Sequence, residues 1–166
     1  ELLNIVIVGG GATGIEVAGI LSEMKKFVLP NDYPDMPSSL MHIYLIEAGP
    51  RLLAGMSEES SAHAEQFLRE MGVNILLNKR VVDYRDHKVV LEDGTEIATR
   101  TFIWVSGVTG VTIGNLDASL IGRGGRIKVD SFNRVEGMNN VFAIGDQCIQ
   151  LADENYPNGH PQLAQV

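Results

Sequence analysis

The chain has 166 residues, of which 45% are hydrophobic and 20% charged, and this is the composition of an ordinary globular protein of about one domain. Its 13 basic residues against 21 acidic ones give a net charge of −8, and no basic run occurs. Nucleic acid is therefore not expected as a main partner, because binding to phosphates needs clustered cations. The single cysteine, Cys148, excludes an internal disulfide, a CxxC redox pair and a cysteine-rich zinc site, and we expect it to be inert.

The first half of the chain alternates predicted strands and helices. In chain order we expect a strand buried on both faces at 2–8, a helix at 12–27, a loop at 30–39, a strand at 41–46, a helix at 58–71 with Ser57 as its N-cap, and a strand at 73–77. The apolar stripes expected on the two helices consist of Val17, Ile20, Leu21 and Met24, and of Ala64, Phe67, Leu68 and Met71. This βαβαβ order predicts a parallel sheet with right-handed crossovers.

Three short strands follow at the place where a crossover helix would normally stand. They are predicted at 81–84, 88–91 and 95–98, and a further apolar strand at 101–105, with Trp104 expected in the core, returns to the sheet. A β-meander in this position separates the chain from simple dehydrogenases. The predicted fold class is therefore α/β, a Rossmann-like parallel sheet with a three-stranded β-meander.

Targeting segments and metal motifs are not recognisable in the sequence. The longest strongly apolar stretch, residues 2–8, is far shorter than the roughly 20 residues that span a bilayer. There is no signal peptide and the chain starts at Glu1 rather than Met, so we expect a soluble piece of a longer protein. No metal site is expected, and four histidines are assigned to the surface or to loops: His42, His63, His87 and His160.

A glycine motif joins the first strand to the first helix. It is Gly9-x-Gly11-x-x-Gly14, with Ala12 and Thr13 inside it. The first glycine permits a tight turn, the second lets a pyrophosphate approach the backbone, and the third lets the helix pack close to the strand. Amide groups and the dipole at the helix start then face the phosphates. The alternatives are a tight turn without a ligand and a methyltransferase, against which the third glycine and the meander argue.

An acid, Glu47, stands at the end of the second strand, 36 positions after Gly11. About 20 positions are typical, and the loop at 30–39 accounts for much of the excess. A carboxylate there accepts hydrogen bonds from the ribose hydroxyls of an adenosine and repels a 2′-phosphate, so NAD(H) is favoured over NADP(H). Arg51 is the alternative signal: it either accommodates a phosphate or is a solvated loop charge.

Five segments together carry a family resemblance: 9–16, 45–53, 101–108, 140–146 and 160–166. The first two resemble the NAD-binding domain of type II NADH dehydrogenases, flavoproteins of the two-dinucleotide-binding-domain type in the pyridine-nucleotide-disulfide oxidoreductase superfamily. The third resembles the return from the NAD domain to the flavin domain. The fourth is similar to the second flavin motif, with Gly145 and Asp146. The fifth is similar to the start of the quinone-site helix, with Ala164 and Gln165.

The resemblance implies a fragment of an FAD-dependent NADH:quinone oxidoreductase, with an NAD(H)-binding domain at 1–112 and part of an FAD-binding domain at 113–166. The parent protein would lie on the cytoplasmic side of the cell membrane, in peripheral contact through a C-terminal region that the chain lacks. The fragment alone is expected to be inactive and to hold NADH as its only ligand. The apolar residues Val141, Phe142 and Ile144 are expected to pack against a second copy of the chain, as in a homodimer.

The implied chemistry is hydride transfer from NADH to the flavin, followed by electron transfer to a quinone. Glu16 is the candidate catalytic residue, aimed at the nicotinamide half; the alternative is an acid that gains only from the helix dipole. Val82 either lines the adenine pocket or belongs to the core. The cofactor-binding residues assigned are Gly9, Gly11, Ala12, Thr13, Gly14, Glu47, Ala48, Arg51, Val82, Ser106, Gly107, Gly145, Asp146, Ala164 and Gln165.

Two other functions remain open at this point. One is an NADH-dependent flavoprotein related to ferredoxin or rubredoxin reductases. The other is a non-catalytic NAD-binding module without a flavin partner. The segments 140–146 and 160–166 favour the quinone reductase, and the absence of a CxxC pair separates the chain from relatives similar to thioredoxin reductase.

Overall fold

The computed structural model describes residues 3–111 and 113–151. The chain divides into two compact units, Glu1–Ser106 and Gly107–Val166. Each unit has a core of its own, so the two are described in turn.

The first unit is built around a parallel sheet of four strands in the order β3-β2-β1-β7. These strands are β1 Ile5–Val8, β2 Ile43–Ile46, β3 Val73–Leu76 and β7 Thr101–Trp104. In the central strand, Val6 is paired with Tyr44 on one side and with Phe102 on the other. The predicted parallel sheet is thereby confirmed, with each strand shorter by one to three residues than the apolar run that predicted it.

Successive residues of β1 serve two different cores. Ile5 and Ile7 pack with the helices on one face of the sheet. Val6 and Val8 pack with the meander on the other face. Because side chains alternate along a strand, a strand covered on both faces must be apolar at every position, and this explains the four apolar residues Ile5–Val8.

The helices are α1 Ala12–Glu23, a π-helical segment Met24–Val28, α2 Leu29–Asp32 and α3 Glu58–Glu70. The start of α3 is as predicted, since Ser57 Oγ accepts a hydrogen bond from the amide of Ser60. The loop expected from position 30 begins later, because Pro30 lies at the start of α2, where a proline loses no hydrogen bond. A 3₁₀ turn at Ser38–Leu40 then precedes β2.

The apolar stripe predicted for α1 is partly wrong. Val17 and Leu21 pack against the core as expected, but Ile20 and Met24 are exposed. The buried face consists instead of Gly14, Ala18 and Ser22, which are small and spaced four apart. Small side chains on that face allow the helix to lie close to the sheet, and Ile20 and Met24 are left on the solvent side.

The prediction for α3 needs the same correction at one position. Leu68 is buried, but Phe67 is 62% exposed, so the predicted stripe is narrower than expected.

The meander lies across the other face of the sheet. Its antiparallel strands are β4 Val81–Arg85, β5 Lys88–Leu91 and β6 Glu96–Ala98, as predicted. The hydroxyl of Thr99 donates a hydrogen bond to the carbonyl oxygen of Asn4 at 2.6 Å, and the side-chain amide of Asn4 donates one to the carbonyl oxygen of Ala98 at 2.9 Å. These bonds join the end of the meander to the start of β1.

Trp104 is not in the core, contrary to the prediction. It is 56% exposed, because β7 is the edge strand of the sheet. Its ring centroid is 6.1 Å from that of Phe102, which in turn is stacked on Tyr84 at 4.6 Å. The indole Nε1 donates to Ser106 O at 2.6 Å, so the ring covers the end of its own strand.

The second unit is smaller. Its strands β8 Ile127–Val129 and β9 Cys148–Gln150 are parallel neighbours. They are accompanied by short 3₁₀ turns at Ala118–Leu120, Arg123–Gly125 and Gly145–Gln147. Cys148 belongs to the core of this unit, and burial raises the pKa of its thiol, as suits an inert residue.

Within 3–111 and 113–151, no helix combines the length and the apolar character that crossing a membrane would require. The same residues contain no group of three or more side chains placed to hold a metal ion. His42, His63 and His87 are exposed, whereas His160 lies outside the described residues.

Candidate nucleotide site

The glycine turn lies at the carboxyl end of β1. Gly9 has φ +119°, a conformation that favours glycine, and its amide donates to Ile46 O at 2.9 Å in the neighbouring strand. Gly11 is the N-cap of α1, which begins at Ala12. The amide groups of the first turn of an α-helix have no partner within the helix, so those that follow Gly11 are available to an anion.

The three glycines of the motif differ in what surrounds them. A Cβ at Gly14 would collide with the carbonyl oxygen of Gly9, so only glycine lets the helix start pack against the turn. A Cβ at Gly9 would lie 3.0 Å from the backbone nitrogen of Ser106. At Gly11, by contrast, no atom lies within 4 Å of the Cβ position. This is the site where the backbone is open to a close approach by a phosphate.

Glu47 directly follows β2 and its carboxylate is turned toward the glycine turn. Oε2 accepts from the amide of Gly10 at 2.6 Å, and Oε1 accepts from the amide of Gly49 at 2.7 Å. The backbone of Glu47 is bonded as well: its carbonyl accepts from the amide of Lys79 at 3.0 Å. The side chain is half-buried, so it is held rigidly while part of it remains accessible.

Leu52 and Leu53 lie close to the middle glycine of this turn, Gly10, and the sequence did not predict that contact. A Cβ at Gly10 would lie 2.7 Å from Leu52 Cδ2 and 3.0 Å from Glu47 Cβ, so a side chain there would displace the acid. Gly10 O also accepts from the amide of Leu53 at 2.8 Å. The sequence features that could have indicated this contact are the three consecutive glycines and the two leucines after the acid.

The guanidinium of Arg51 points along its own loop. It donates to Met56 O at 3.0 Å and to Ala54 O at 2.8 Å. Ala48, directly after the acid, is exposed. Two donors of the guanidinium are thus bonded within its own loop, whereas the carboxylate of Glu47 bonds directly to the glycine turn.

The other candidates of the first unit are all exposed. Thr13 and Glu16 are exposed on α1, and Ser106 is exposed at the end of the strand region beside Gly9. Val82 is exposed on β4 rather than in a core, which removes one of its two predicted roles.

The candidates of the second unit form a group of their own. Gly145 has φ +66° and begins a 3₁₀ turn in which Asp146 is exposed. The Arg126 guanidinium donates to Asp146 O at 3.2 Å and to Val108 O at 2.8 Å. Gly107 has φ +81° and is exposed. Ala164 and Gln165 lie outside the described residues.

The site of the first unit can thus do two things chemically. The start of α1 can bind an anion through backbone amides, with Gly11 leaving room for it. The carboxylate of Glu47 can accept hydrogen bonds from hydroxyl groups beside that anion, because each carboxylate oxygen has acceptor capacity beyond one amide. An anion next to a diol is the pattern of an adenosine diphosphate group.

The comparisons with known proteins agree with this chemistry. The family model described as pyridine nucleotide-disulphide oxidoreductase matches residues 1–166. A type II NADH:quinone oxidoreductase of Haemophilus influenzae is 34% identical over 154 residues, which cover 92% of this chain and 34% of that protein. The internal alternative NAD(P)H-ubiquinone oxidoreductase A1 of Arabidopsis thaliana mitochondria is 33% identical, over 100% of this chain and 32% of that protein.

Among solved structures, NDH2 from Plasmodium falciparum in complex with NADH is similar, with a TM-score of 0.74 and 25% identity over 90% of this chain and 32% of that one. The chain therefore spans about a third of the length of the relatives it matches. Since the family model covers the chain from end to end, the protein belongs to the pyridine nucleotide-disulphide oxidoreductase family.

Proposed function

We propose that this chain carries the NADH site of an FAD-dependent NADH:quinone oxidoreductase that takes part in respiratory electron transfer. The observation that carries the proposal is the Glu47 carboxylate, fixed by two backbone amides at 2.6 and 2.7 Å beside the open glycine turn. The names of the relatives, type II NADH:quinone and NAD(P)H-ubiquinone oxidoreductases, support the substrates.

The geometry of the first unit supports a specific binding mode. The pyrophosphate rests on the amides after Gly11, with Ala12, Thr13 and Gly14 forming the start of α1. The adenosine ribose lies against Glu47 and Ala48 at the end of β2. The dinucleotide would then cross the strand ends past Ser106, as ligands do in open α/β sheets, with Val82 on its adenine side.

NADH is favoured over NADPH because a 2′-phosphate would approach Glu47. At about 4 Å and an effective dielectric near 20, one pair of like charges costs about 4 kcal/mol before screening by salt. Two of the Arg51 donors are bonded to Ala54 and Met56, which leaves fewer of them for a 2′-phosphate.

The remaining parts of the proposal concern the longer protein. An FAD would supply the group that accepts the hydride and passes electrons on singly or in pairs. Gly145 and Asp146 would contact it in an FAD-binding part at 113–166, next to an NAD domain at 1–112, and Ala164 and Gln165 would begin the quinone side. Glu16 would face the nicotinamide half of the bound NADH.

Assembly and location are proposed on the same basis. A quinone acceptor is lipid-soluble, so the longer protein would make peripheral contact with a membrane, on its cytoplasmic side, through parts other than this chain. The chain itself would form a homodimer through Val141, Phe142 and Ile144, which are exposed.

Titration of the 166-residue chain with NADH and with NADPH tests the nucleotide assignment. We expect saturable NADH binding and at least tenfold weaker NADPH binding, measured by calorimetry at equal salt. A preference for NADPH would contradict the role given to Glu47.

The variant Gly11→Ala tests where the pyrophosphate lies. The Cβ position is open in the structure, so folding should change by no more than about 1 kcal/mol, the cost of a poorer N-cap. NADH binding should nevertheless be lost, because the methyl group occupies the approach of the phosphate. The matched control is Gly19→Ala on the same helix, where the Cβ position is also open; undiminished NADH binding by Gly11→Ala would remove the pyrophosphate from this turn.

A further inference from the structure

The segment that connects the first unit to the second is held by hydrogen bonds on both sides of one residue. The boundary between the units lies between Ser106 and Gly107. The connecting segment comprises residues 105–111, which follow the end of β7 at Trp104.

On the side of the first unit, the segment is held as far as Ser106. The amide of Val105 donates to Val8 O at 2.9 Å, and Ser106 O accepts from Trp104 Nε1 at 2.6 Å. A Cβ at Gly9 would lie 3.0 Å from the backbone nitrogen of Ser106, so the backbone of Ser106 also packs directly on the glycine turn. The chain up to Ser106 therefore belongs to the first unit as a packed part of it.

On the side of the second unit, two side chains bind the segment. The Arg126 guanidinium donates to Val108 O at 2.8 Å. The side-chain amide of Gln147 accepts from the amide of Val111 at 2.9 Å through Oε1, and it donates to Val111 O at 2.6 Å through Nε2. Since Gln147 lies in the 3₁₀ turn Gly145–Gln147, these bonds tie the segment to the turn that contains Asp146.

Two glycines fix the same part of the segment through the backbone. The amide of Gly110 donates to Gly124 O at 2.8 Å. A Cβ at Gly110 would lie 2.5 Å from Gly125 O, and a Cβ at Gly125 would lie 2.9 Å from Gly110 O. Backbones that approach this closely leave no room for a side chain at either position, so residues 108–111 are packed into the second unit.

Gly107 lies between these two fixed stretches. Among the described residues its backbone makes no hydrogen bond, and apart from its chain neighbours no atom lies within 4 Å of its Cβ position. Its φ is +81° and the residue is exposed. Glycine reaches positive and negative φ about equally well, so no side chain opposes rotation at this residue. Domain hinges consist of a few such residues, which absorb the change in φ and ψ while the packed elements on either side stay rigid.

We infer that Gly107 is a single-residue hinge on which the two units turn relative to each other. The moving bodies are the first unit up to Ser106 and the second unit from Val108 onward. The consequence for catalysis rests on the proposed function, in which NADH lies on the first unit beside Ser106 and the Gly145–Asp146 turn of the second unit contacts FAD. Rotation at Gly107 then sets how the nicotinamide half approaches the flavin.

The distance between two spin labels, measured by pulsed electron paramagnetic resonance, tests the hinge. The labels are placed at exposed positions of the two units by Glu59→Cys and Asn139→Cys, in a chain whose own thiol is removed by Cys148→Ala. An excess of unlabelled chain ensures that only distances within one chain are measured. The parent chain should give a broad distribution of distances, because several orientations of the units are populated.

Gly107→Ala is the test variant, and Gly94→Ala is its matched control. Alanine loses the positive-φ part of the conformational map, so Gly107→Ala should make the distribution about twofold narrower and shift its mean. Gly94 also has a positive φ, +84°, and an open Cβ position, but it lies in a turn of the meander. Gly94→Ala introduces the same local strain and should leave the distribution as in the parent.

Loosening either fixed stretch should have the opposite effect. Gln147→Ala removes both bonds to Val111 and should broaden the distribution, as should Trp104→Phe, which removes the bond to Ser106. A parent distribution as narrow as that of Gly107→Ala would mean that the units do not turn, and this would overturn the hinge. Equal narrowing by Gly107→Ala and Gly94→Ala would overturn it as well, because the effect would then come from strain in general.

The measurement contains no nucleotide, so the hinge and the proposed function can fail separately. A narrow parent distribution together with NADH binding would overturn the hinge and leave the nucleotide site in place. A broad parent distribution that Gly107→Ala narrows would support the hinge even if the chain did not bind NADH.

Discussion

A single side chain, Glu47, has two functions at the nucleotide end of the sheet. Its two carboxylate oxygens join the glycine turn, through Gly10, to the loop after β2, through Gly49. The same group is the acceptor for a ribose in the proposed function. The acid therefore prepares the shape of the site before any ligand arrives, which reduces the ordering cost of binding.

The variant Glu47→Gln removes the negative charge of this side chain while nearly keeping its size and shape. It should lower the free energy of unfolding by about 1–2 kcal/mol, because hydrogen bonds to a charged acceptor are replaced by neutral ones or lost. NADH binding should weaken at least tenfold and the preference over NADPH should largely disappear. Urea denaturation and calorimetric titration measure these effects, with Glu59→Gln as the control; an unchanged nucleotide preference would disprove the repulsion argument.

Gly14 gives a second prediction at this scale. A methyl group there would meet the carbonyl oxygen of Gly9, so Gly14→Ala should destabilise the chain by at least about 2 kcal/mol and abolish NADH binding. Gly19→Ala, five residues further along the helix, should instead stabilise it by about 0.5–1 kcal/mol. Thermal unfolding of the pair gives the comparison, and equal stability of the two variants would exclude the close packing of the turn.

Residue identities near the turn could be predicted because the chemistry restricts them. Only glycine fits at Gly9 and Gly14, and only an acid selects an unphosphorylated ribose. The direction of the Arg51 side chain could not be predicted, since a long flexible side chain has many partners within reach. Its carbonyl partners lie three and five residues away in an irregular loop.

Among the elements, the meander is stabilised at its surface by ion pairs. Asp93 pairs with Lys79 and accepts from the amide of Thr95 at 3.0 Å, while Glu96 accepts from Lys88 at 2.6 Å. The hydrogen bond from Lys79 lowers the pKa of Asp93, and the hydrogen bond from Lys88 lowers the pKa of Glu96. Both groups are exposed, so each stabilises the fold only modestly.

The sign of the pH dependence follows from these shifts. A carboxyl whose pKa is lower in the folded state stabilises the fold above its unfolded pKa, and this contribution is lost as the pH falls through the folded value. Asp93→Asn should therefore be less stable than the parent at pH 7, and the difference should shrink below about pH 4. Urea midpoints across this range measure it, with Asp35→Asn in an exposed loop as the control; a difference that grows with acidification would contradict the pairing.

Element types were predictable where one pattern dominated. Mostly apolar runs predicted the parallel strands, and short strand-like runs separated by turn residues predicted the meander. The buried face of α1 was not predictable from apolar periodicity, because its contact residues are Gly14, Ala18 and Ser22. Trp104 is exposed because β7 is the edge strand of the sheet. That position depends on the order of the strands in the sheet, and it cannot be read from the composition of the strand itself.

At the scale of the whole molecule, the chain consists of two units with very different cores. The first has a sheet covered on both faces. In the part of the second unit that the structure describes, there are two three-residue strands, and large apolar side chains are exposed, among them Phe132, Phe142 and Ile144. Exposed apolar side chains of this size mark surfaces that bind other protein surfaces.

Self-association of the chain is the corresponding prediction. Sedimentation at micromolar concentration should show a dimer, because burial of Phe142 and Ile144 in a shared surface removes apolar area from water. The double change Phe142→Ser and Ile144→Ser should return the chain to a monomer. Changing Val111, which is more exposed than either of them, to Ser should leave the dimer intact, and a parent chain that sediments only as a monomer would disprove the association.

The π-helical segment at Met24–Val28 has a consequence for how the length of this protein can vary. Hydrogen bonds in a π-helix span five residues instead of four, so the segment accommodates one amino acid more than a regular helix of the same rise. Deleting one residue there would restore the ordinary helical pitch, and the helix Ala12–Glu23 would remain packed on the sheet. The chain thus has a point at which evolution can add or remove a residue without disturbing the cofactor end of the molecule.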